Sequence, residues 1–219
     1  MVAALSDSAR SDRATVRRLP EKQVHDRTVL HAVLDAAKVA HVAVVDDGQP
    51  YVVPVACARD GDAVLFHGST ASRLFRSLAA GGPTCLTVTL LDGLVAARSV
   101  FESSMHYRSA MVLGVASVLD GEAKVAGLER VTEHLLPGRW AEARQPSAKE
   151  LAATLVLSLP LDEWSVKVSA GPPDDAEDDL DRPVWAGVVP LLPQQPGPPV
   201  DAPDLRGEHR VPPYVEHWG

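Results

Sequence analysis

The chain has 219 residues, of which 46% are hydrophobic and 23% charged, so it is long enough to form one sizeable core. Its net charge is -8, and no segment combines clustered Lys and Arg with aromatic side chains, which argues against a nucleic-acid surface. No apolar run is long enough to span a membrane and no apolar targeting segment opens the chain, so we expect no membrane partner. Cys57 and Cys85 are too few for a disulfide framework, and they suit a reducing cytoplasm.

Three regions follow one another along the chain. Residues 1–19 are polar and predict a flexible segment, and residues 20–170 carry the periodic apolar patterns of a folded domain. Residues 171–219 are first acidic and then rich in Pro, and we expect them to pack on the domain or on a partner subunit. The domain opens with a helix that Asp26 can cap, and its apolar residues keep helical spacing: Val29, Leu30, Val33, Leu34 and Ala37.

The rest of the domain shows the patterns of strands. Asp-Gly pairs, which suit tight hairpin turns, separate several of them, at Asp47-Gly48, Asp60-Gly61 and Asp92-Gly93. A helix is predicted at Thr70–Ala80, and further helices at 124–136 and 147–155. The predicted strands are 39–46, 50–58, 62–67, 84–91, 94–100 and 108–119, with one more within 155–168. We therefore expect a mainly β fold of six to seven antiparallel strands, forming a closed or nearly closed barrel with peripheral helices.

The segment His67–Arg73, HGSTASR, has the composition of an anion site at the start of a helix. Unpaired backbone N–H groups and the positive end of the helix dipole meet there, with the Ser69, Thr70 and Ser72 hydroxyls and the Arg73 guanidinium added. The alternative is that Ser69 or Thr70 only caps the helix.

The acidic run 172–183 is the one stretch that suggests a metal, but such like-charged runs usually form a solvated face. The chain has no HExxH or CxxC motif and no spaced His cluster. We predict no metal site from these patterns.

Several segments together resemble one family. They are YVVPVA (51–56), HGSTASR (67–73), ESSMHYRSAMVLG (102–114) and KVSAGPPDDAEDDLDRPVWAGVVPL (167–191), with the lead-in PEKQVHDRTVLHAVLDAAKVAHVAVV (20–45). In this order they resemble the pyridoxamine 5'-phosphate oxidase-like FMN-binding split barrels, in particular the branch that includes nitroimidazole-resistance proteins. The resemblance implies a split β-barrel with Greek-key-like closure, and FMN in a cleft between the two subunits of a homodimer.

The resemblance also implies which residues meet the cofactor. The strand residues Val53, Pro54, Val55 and Ala56 would lie along the isoalloxazine ring. His67, Gly68 and Ser69 would close on the cofactor, and Ser72 and Arg73 would hold its phosphate. The chain departs from the oxidase pattern at Leu74, because the oxidases have a lysine there.

Two further elements come from the same resemblance. Arg108 can replace the missing lysine, from the same or the other subunit, with Tyr107 and Ser109 also near the cofactor. Trp185 falls where the family has a Trp near the flavin. Each has a purely structural alternative: His67 as a half-buried histidine bonded to backbone, Arg108 as a surface ion pair, and Trp185 and Tyr107 as packing residues.

Three functions are compatible with these residues. The first is an FMN-dependent oxidoreductase that reduces a small electrophile, with NADH or NADPH as a candidate electron donor and His67 as a proton donor. The second is a protein that binds FMN, haem or a deazaflavin without turnover, and the third is a cofactor-free dimer that uses the barrel as an interaction surface. We do not expect pyridoxamine 5'-phosphate oxidase activity, because only Arg206 and His209 offer a match to that enzyme's C-terminal substrate-binding pattern.

Overall fold

A computed structural model describes residues 12–192, 197–207 and 210–216. The strands in chain order are β1 (Gln23–Val24), β2 (Val39–Asp46), β3 (Gln49–Asp60), β4 (Ala63–Ser69), β5 (Pro83–Ala96), β6 (Ser104–Val115), β7 (Ser117–Leu119), β8 (Thr154–Pro160), β9 (Glu163–Ser169) and β10 (Gly187–Pro190). The α-helices are α1 (Arg27–Ala36), α2 (Arg73–Ala79), α3 (Gly121–Leu135), α4 (Arg139–Glu142), α5 (Ala148–Ala152) and α6 (Pro213–Glu216).

The strands form one antiparallel sheet in the order β1-β9-β6-β5-β2-β3-β4-β8-β7, and β10 pairs with β5. The long strand β3 joins its two halves, because residues 49–56 pair with β2 and residues 57–60 pair with β4. The prediction of a β-dominated split barrel with peripheral helices is confirmed, although the sheet is not closed. The described residues hold ten strands instead of six or seven, since three short ones, β1, β7 and β10, extend the sheet.

The main core lies between one face of the sheet and helices α1 and α2. Asp26 caps α1 through a 2.8 Å hydrogen bond that its carboxylate accepts from the backbone N–H of Thr28. The apolar stripe of α1 then packs Leu30, Val33 and Leu34 inside with no more than 1% exposure. Burial of this kind stabilises the fold by roughly 1.5–3 kcal/mol per large aliphatic side chain.

Two of the three predicted Asp-Gly hairpins are confirmed. Asp47 and Gly48 both have positive φ (49° and 75°), which is the conformation of a tight hairpin turn, and Gly61 also has positive φ. The prediction at Asp92-Gly93 is wrong, because β5 runs through it as one strand and the register against β6 shifts there in a bulge. Glycine suits such a bulge as well as a turn, and a Cβ on Gly93 would lie 3.1 Å from the carbonyl oxygen of Val189 in β10.

The single strand predicted within 155–168 is also wrong. The structure has a hairpin of two strands there, β8 and β9, joined through the buried Leu161. Pro160 ends β8, and Leu161 continues the apolar pattern across the turn, which made the two strands read as one.

A smaller apolar cluster lies on the other face of the half-sheet β4-β8-β7. There α3 packs Val131 against Ala58 and Leu65, all three at most 3% exposed. Because alternate residues of a strand point to opposite faces, His67 lies on this α3 face together with Leu65, and Gly68 lies on the core face with Phe66.

Gly68 is required by close packing. A Cβ at this position would lie 2.2 Å from the ring of Phe75, a buried residue of α2. The glycine therefore lets α2 approach the end of β4, and this packing explains its presence without a cofactor.

Residues 12–19 contact the sheet edge. Ala14 is buried, and the guanidinium of Arg13 forms two hydrogen bonds with the carboxylate of Glu163 in β9, at 3.1 and 2.5 Å. The division of the chain at 19 and 170 stays a prediction. Among the described residues, no helix is both long and apolar enough to cross a bilayer.

We expect Gly68→Ala to destabilise the fold, because the new methyl group must displace the Phe75 ring or β4. Overpacking of this kind costs about 1–3 kcal/mol of unfolding free energy, measurable by urea denaturation. Gly197→Ala is the matched control, since a Cβ there meets nothing within 4 Å, and it should change stability by less than about 0.5 kcal/mol. Equal stability of Gly68→Ala and wild type would contradict the packing role.

Candidate cofactor sites

The start of α2 leaves hydrogen-bond donors unused. Ser72 is the N-cap residue, but its hydroxyl makes no capping hydrogen bond, and the first helical bond runs from the N–H of Arg76 to the Ser72 carbonyl. The backbone N–H groups of the first turn therefore have no helical acceptor. Ser69 does not cap this helix; its hydroxyl accepts a 3.1 Å hydrogen bond from the N–H of Ala71 within the preceding turn. The capping alternative for Ser69 is thus wrong.

Arg73 lies at the same helix start and faces the end of the β2–β3 hairpin. Its guanidinium carbon is 4.4 Å from the centre of the Tyr51 ring, and Nε is 3.6 Å from a carboxylate oxygen of Asp46. Both charged side chains are about half exposed, so their ion pair is weak, whereas stacking on Tyr51 fixes the direction of the guanidinium. Arg73 is thus held in place but retains donors for an anion.

The four predicted residues of β3 alternate between the two faces of the sheet. Val55 is buried and pairs with Ala40, and Val53 points the same way but is 38% exposed. Pro54 is exposed on the opposite face, where Ala56 packs against the small cluster under α3. Because the four side chains point to both faces of the sheet, only the backbone of this segment can line one side of a cofactor site.

Arg108 is already paired. Its Nε and Nη2 donate to the two carboxylate oxygens of Asp92 at 2.9 and 2.7 Å, which holds the pKa of Asp92 below its usual range. The ion-pair alternative is what the structure shows for Arg108, and a phosphate would have to compete with Asp92. Tyr107 and Ser109 point to the opposite face of β6, where they pair with Leu91 and Thr89 of β5.

Trp185 is 67% exposed and precedes β10. Its indole covers the Cα of Gly187, where a Cβ would be only 2.6 Å away. The alternative that Trp185 packs in the core is therefore wrong within the single chain.

His67 does not face the start of α2. It lines a cleft of about 290 Å³ between β4, β8 and helices α3 to α5. Its other lining residues are Leu128, Thr132, Trp140, Arg144, Pro146, Glu150, Leu151 and Thr154. The Nδ1 atom of His67 is buried without a hydrogen-bond partner, so the backbone-bonded alternative is wrong. Burial lowers the pKa of His67, which favours its neutral form near pH 7.

The walls of this cleft are held by charged groups. Glu133 of α3 accepts hydrogen bonds from the N–H groups of Gly138 and Trp140, at 2.6 and 2.7 Å, and so fixes α4. Arg144 pairs with Glu150 at 2.8 and 3.0 Å, and together with Ser147 it lowers the pKa of Glu150 to about 2.

The C-terminal helix α6 reaches the outer side of α4. Tyr214 donates a hydrogen bond to Glu142, and its ring covers Gly138. Arg139 also reaches the Tyr214 hydroxyl at 3.4 Å. Of the two tail residues named for the oxidase pattern, His209 lies outside the described residues and Arg206 is exposed.

The structure therefore separates the predicted site residues into two groups. Ser72 and Arg73 share the α2 start, whereas His67 lines a cleft whose other residues were not predicted. Trp140 and Arg144 were missed because they lie between the segments 102–114 and 167–191 that carry the family resemblance, and between the predicted helices 124–136 and 147–155. The Ser147-x-x-Glu150 capping box was the one local signal that could have indicated an ordered wall there.

The protein is thus an antiparallel split barrel with unused hydrogen-bond donors at one helix start and a cleft lined in part by His67. Residues 26–168 match the model of the pyridoxamine 5'-phosphate oxidase family. Because the match spans more than half of the chain, the protein belongs to this family, and the resemblance seen in the sequence is confirmed.

Solved structures extend the comparison. The FAD and haem binding protein from Mycobacterium smegmatis is 47% identical, with a TM-score of 0.85, over 89% of this chain and 96% of that one. The flavocytochrome Anf3 from Azotobacter vinelandii is 42% identical, with a TM-score of 0.88, over 94% of this chain and 96% of that one.

A putative 5-nitroimidazole antibiotic resistance protein from Bacteroides thetaiotaomicron shares the fold at 23% identity, with a TM-score of 0.58, over 67% of this chain and 86% of that one. No curated protein matches the chain.

Proposed function

We propose that this protein is a redox protein that binds a flavin nucleotide and a haem. The observation that carries the proposal is that two relatives, more than 40% identical over almost their whole length, are both named for a flavin together with haem or cytochrome. The separation of Arg73 from the His67 cleft supports it, because two cofactors need two sites.

The residues at the α2 start fit the phosphate of a flavin nucleotide. They offer a free Ser72 hydroxyl, unpaired N–H groups and an oriented guanidinium, which is the donor set that phosphate recognition uses. Asp46 opposes phosphate binding, because its carboxylate lies 3.6 Å from Nε of Arg73 and carries a negative charge. Phosphate binding would draw Arg73 from this weak, half-exposed pair.

We propose FAD as the flavin, although the sequence predicts FMN. Both carry a phosphate next to the ribityl chain, so Arg73 serves either one. The relative that is 47% identical is named for FAD. FMN is the alternative outcome when the bound flavin is extracted.

Bound flavin supplies hydride and single-electron chemistry, and haem supplies single-electron chemistry, so few catalytic side chains are needed. Arg73, oriented by Tyr51, binds the phosphate, and the backbone of β3 borders the ring. Reduction of a small electrophile with electrons from NADH or NADPH is the activity we propose. Binding without turnover is the alternative.

We also propose that the protein is a homodimer. Apolar residues at least 45% exposed lie on the face of the sheet that points away from the main core: Val39, Val45, Val52, Leu91, Leu94, Met105 and Val115. The solvent face of an antiparallel sheet is usually polar. A sheet face with seven exposed apolar residues therefore indicates a partner that covers it. A second copy of the chain is the occupant that the family resemblance implies.

The cofactor proposal predicts a coloured protein after reconstitution with haemin and an equimolar mixture of FAD and FMN. We expect the haem Soret band, a flavin spectrum and FAD in the acid extract. Anaerobic NADH or NADPH should bleach the flavin absorbance if the protein is an oxidoreductase, and unchanged absorbance would favour binding without turnover. Protein that retains neither cofactor after gel filtration would refute the proposal.

Arg73→Ala should weaken FMN and FAD binding while leaving riboflavin binding unchanged, because riboflavin lacks the phosphate. Loss of a charge-assisted hydrogen bond of about 1.5–3 kcal/mol corresponds to roughly ten- to over a hundredfold in Kd, measured by fluorescence titration. Arg73→Lys should recover only part of the affinity, since the planar guanidinium is lost.

Arg76→Ala is the control for Arg73, because it removes the same charge from the last turn of α2. It should bind FMN and FAD as wild type does. If Arg73→Ala does so too, the phosphate lies elsewhere, and Arg108 is the next residue to test.

The dimer proposal predicts that Val52→Glu combined with Leu91→Glu gives monomers, since both charges lie on the apolar sheet face. Wild type should sediment as a dimer at micromolar concentration. Leu136→Glu, at the end of α3, removes a similarly exposed leucine elsewhere and should leave the dimer intact. A wild-type monomer that retains flavin would contradict the proposal.

A further inference from the structure

The cleft beside His67 combines apolar and charged side chains with an imidazole whose buried Nδ1 has no hydrogen-bond partner. Apolar side chains of Leu128, Trp140 and Leu151, which come from three different helices, line this cleft together with the imidazole. At about 290 Å³ the cleft lies just below the usual range of ligand sites, roughly 300–1,000 Å³, and it is open on one side. A flat ring that enters edge-on can keep its polar edge at this opening.

We propose that His67 is an axial ligand of a haem iron bound in this cleft. This inference rests on the proposed function, which names the haem but not its site. In the described part of the chain neither ring nitrogen of His67 has a hydrogen-bond partner, so no protein group competes with a metal for the imidazole.

The electrostatics of His67 favour a ligand over a proton donor. Burial lowers its pKa, and neutral imidazole is the form that binds iron, whereas the protonated form is needed to donate a proton. In the free protein, therefore, the ring is mostly deprotonated near pH 7, and haem binding need not displace a proton from it.

The absence of a protein metal cluster does not oppose this assignment. No group of three His, Cys, Asp or Glu residues that could hold a metal occurs in the residues the structure describes. A porphyrin brings its own nitrogen ligands, so the protein has to supply only an axial one.

Arg144 is the residue we assign to the haem carboxylates. It lines the cleft, its side chain is 71% exposed, and it already holds the carboxylate of Glu150 in a bidentate pair. A propionate is the same chemical group, but it would have to share the guanidinium with Glu150, as a phosphate would with Asp92 at Arg108.

The test is a haemin titration of purified wild type, His67→Ala and His67→Gly, followed by absorption and electron paramagnetic resonance spectra. We expect stoichiometric binding to wild type with a histidine-ligated spectrum. The His67 variants should bind at least about tenfold more weakly. Added imidazole should restore the wild-type spectrum in His67→Gly, which a merely structural role would not produce.

His31→Gln is the matched control, because His31 lies on α1, outside the cleft, beside Asp62. It should bind haemin as wild type does. His67→Met keeps a side chain of similar volume and tests ligation if the smaller variants do not fold; its spectrum should shift to that of a thioether-ligated iron.

The outcomes separate this inference from the proposed function. Haemin binding with the wild-type spectrum in a folded His67 variant overturns His67 ligation and leaves the haem proposal standing. A folded His67→Gly that has lost haem and does not respond to imidazole also overturns it. A wild type that binds no haemin refutes the haem proposal itself.

Discussion

The alternation of side chains along β4 is the constraint on which both candidate sites depend. His67 and Gly68 are neighbours in sequence, yet one points toward helices α3 to α5 and the other toward Phe75 of α2. A shift of one residue in the pairing of β4 with β8 would move each side chain of β4 to the other face of the sheet. The His67 imidazole would then lie against Phe75 and no longer line the cleft. The buried residues Leu65 and Phe66 oppose this shift, because each would lose its own cluster.

The charges around Arg73 and Arg108 make the α2 start the better candidate for an anion site in this acidic protein. Arg108 is held by Asp92 through two hydrogen bonds near 2.8 Å, whereas Arg73 is held by stacking on Tyr51 and a weak, exposed ion pair. An incoming phosphate therefore has to displace only a weak ion pair with Asp46 at Arg73. At Arg108 it would have to displace the bidentate pair with Asp92. The unused donors at Ser72 add to this difference.

Local sequence patterns predicted most of the fold. They failed where the same pattern is typical of two different local structures. The strand at 39–46 and the capped helix at Asp26 were readable because their apolar periods are strong. Asp92-Gly93 was misread because glycine serves bulges and turns alike. The α2 residues followed from a contiguous motif, whereas the His67 cleft is built from α3, α4 and α5, which only tertiary packing brings together. The lowered pKa of His67 is likewise a result of burial that no local pattern reports.

If strand β4 separates two cofactor sites, iron and flavin must lie on opposite sides of it. A crystal of the reconstituted protein, measured at the iron absorption edge, shows this because anomalous scattering locates iron without reference to any assumed ligand. We expect one iron peak per chain beside the His67 imidazole, on the α3 side of β4, and flavin density at the start of α2. An iron peak away from His67, or a flavin in the His67 cleft, would contradict this separation.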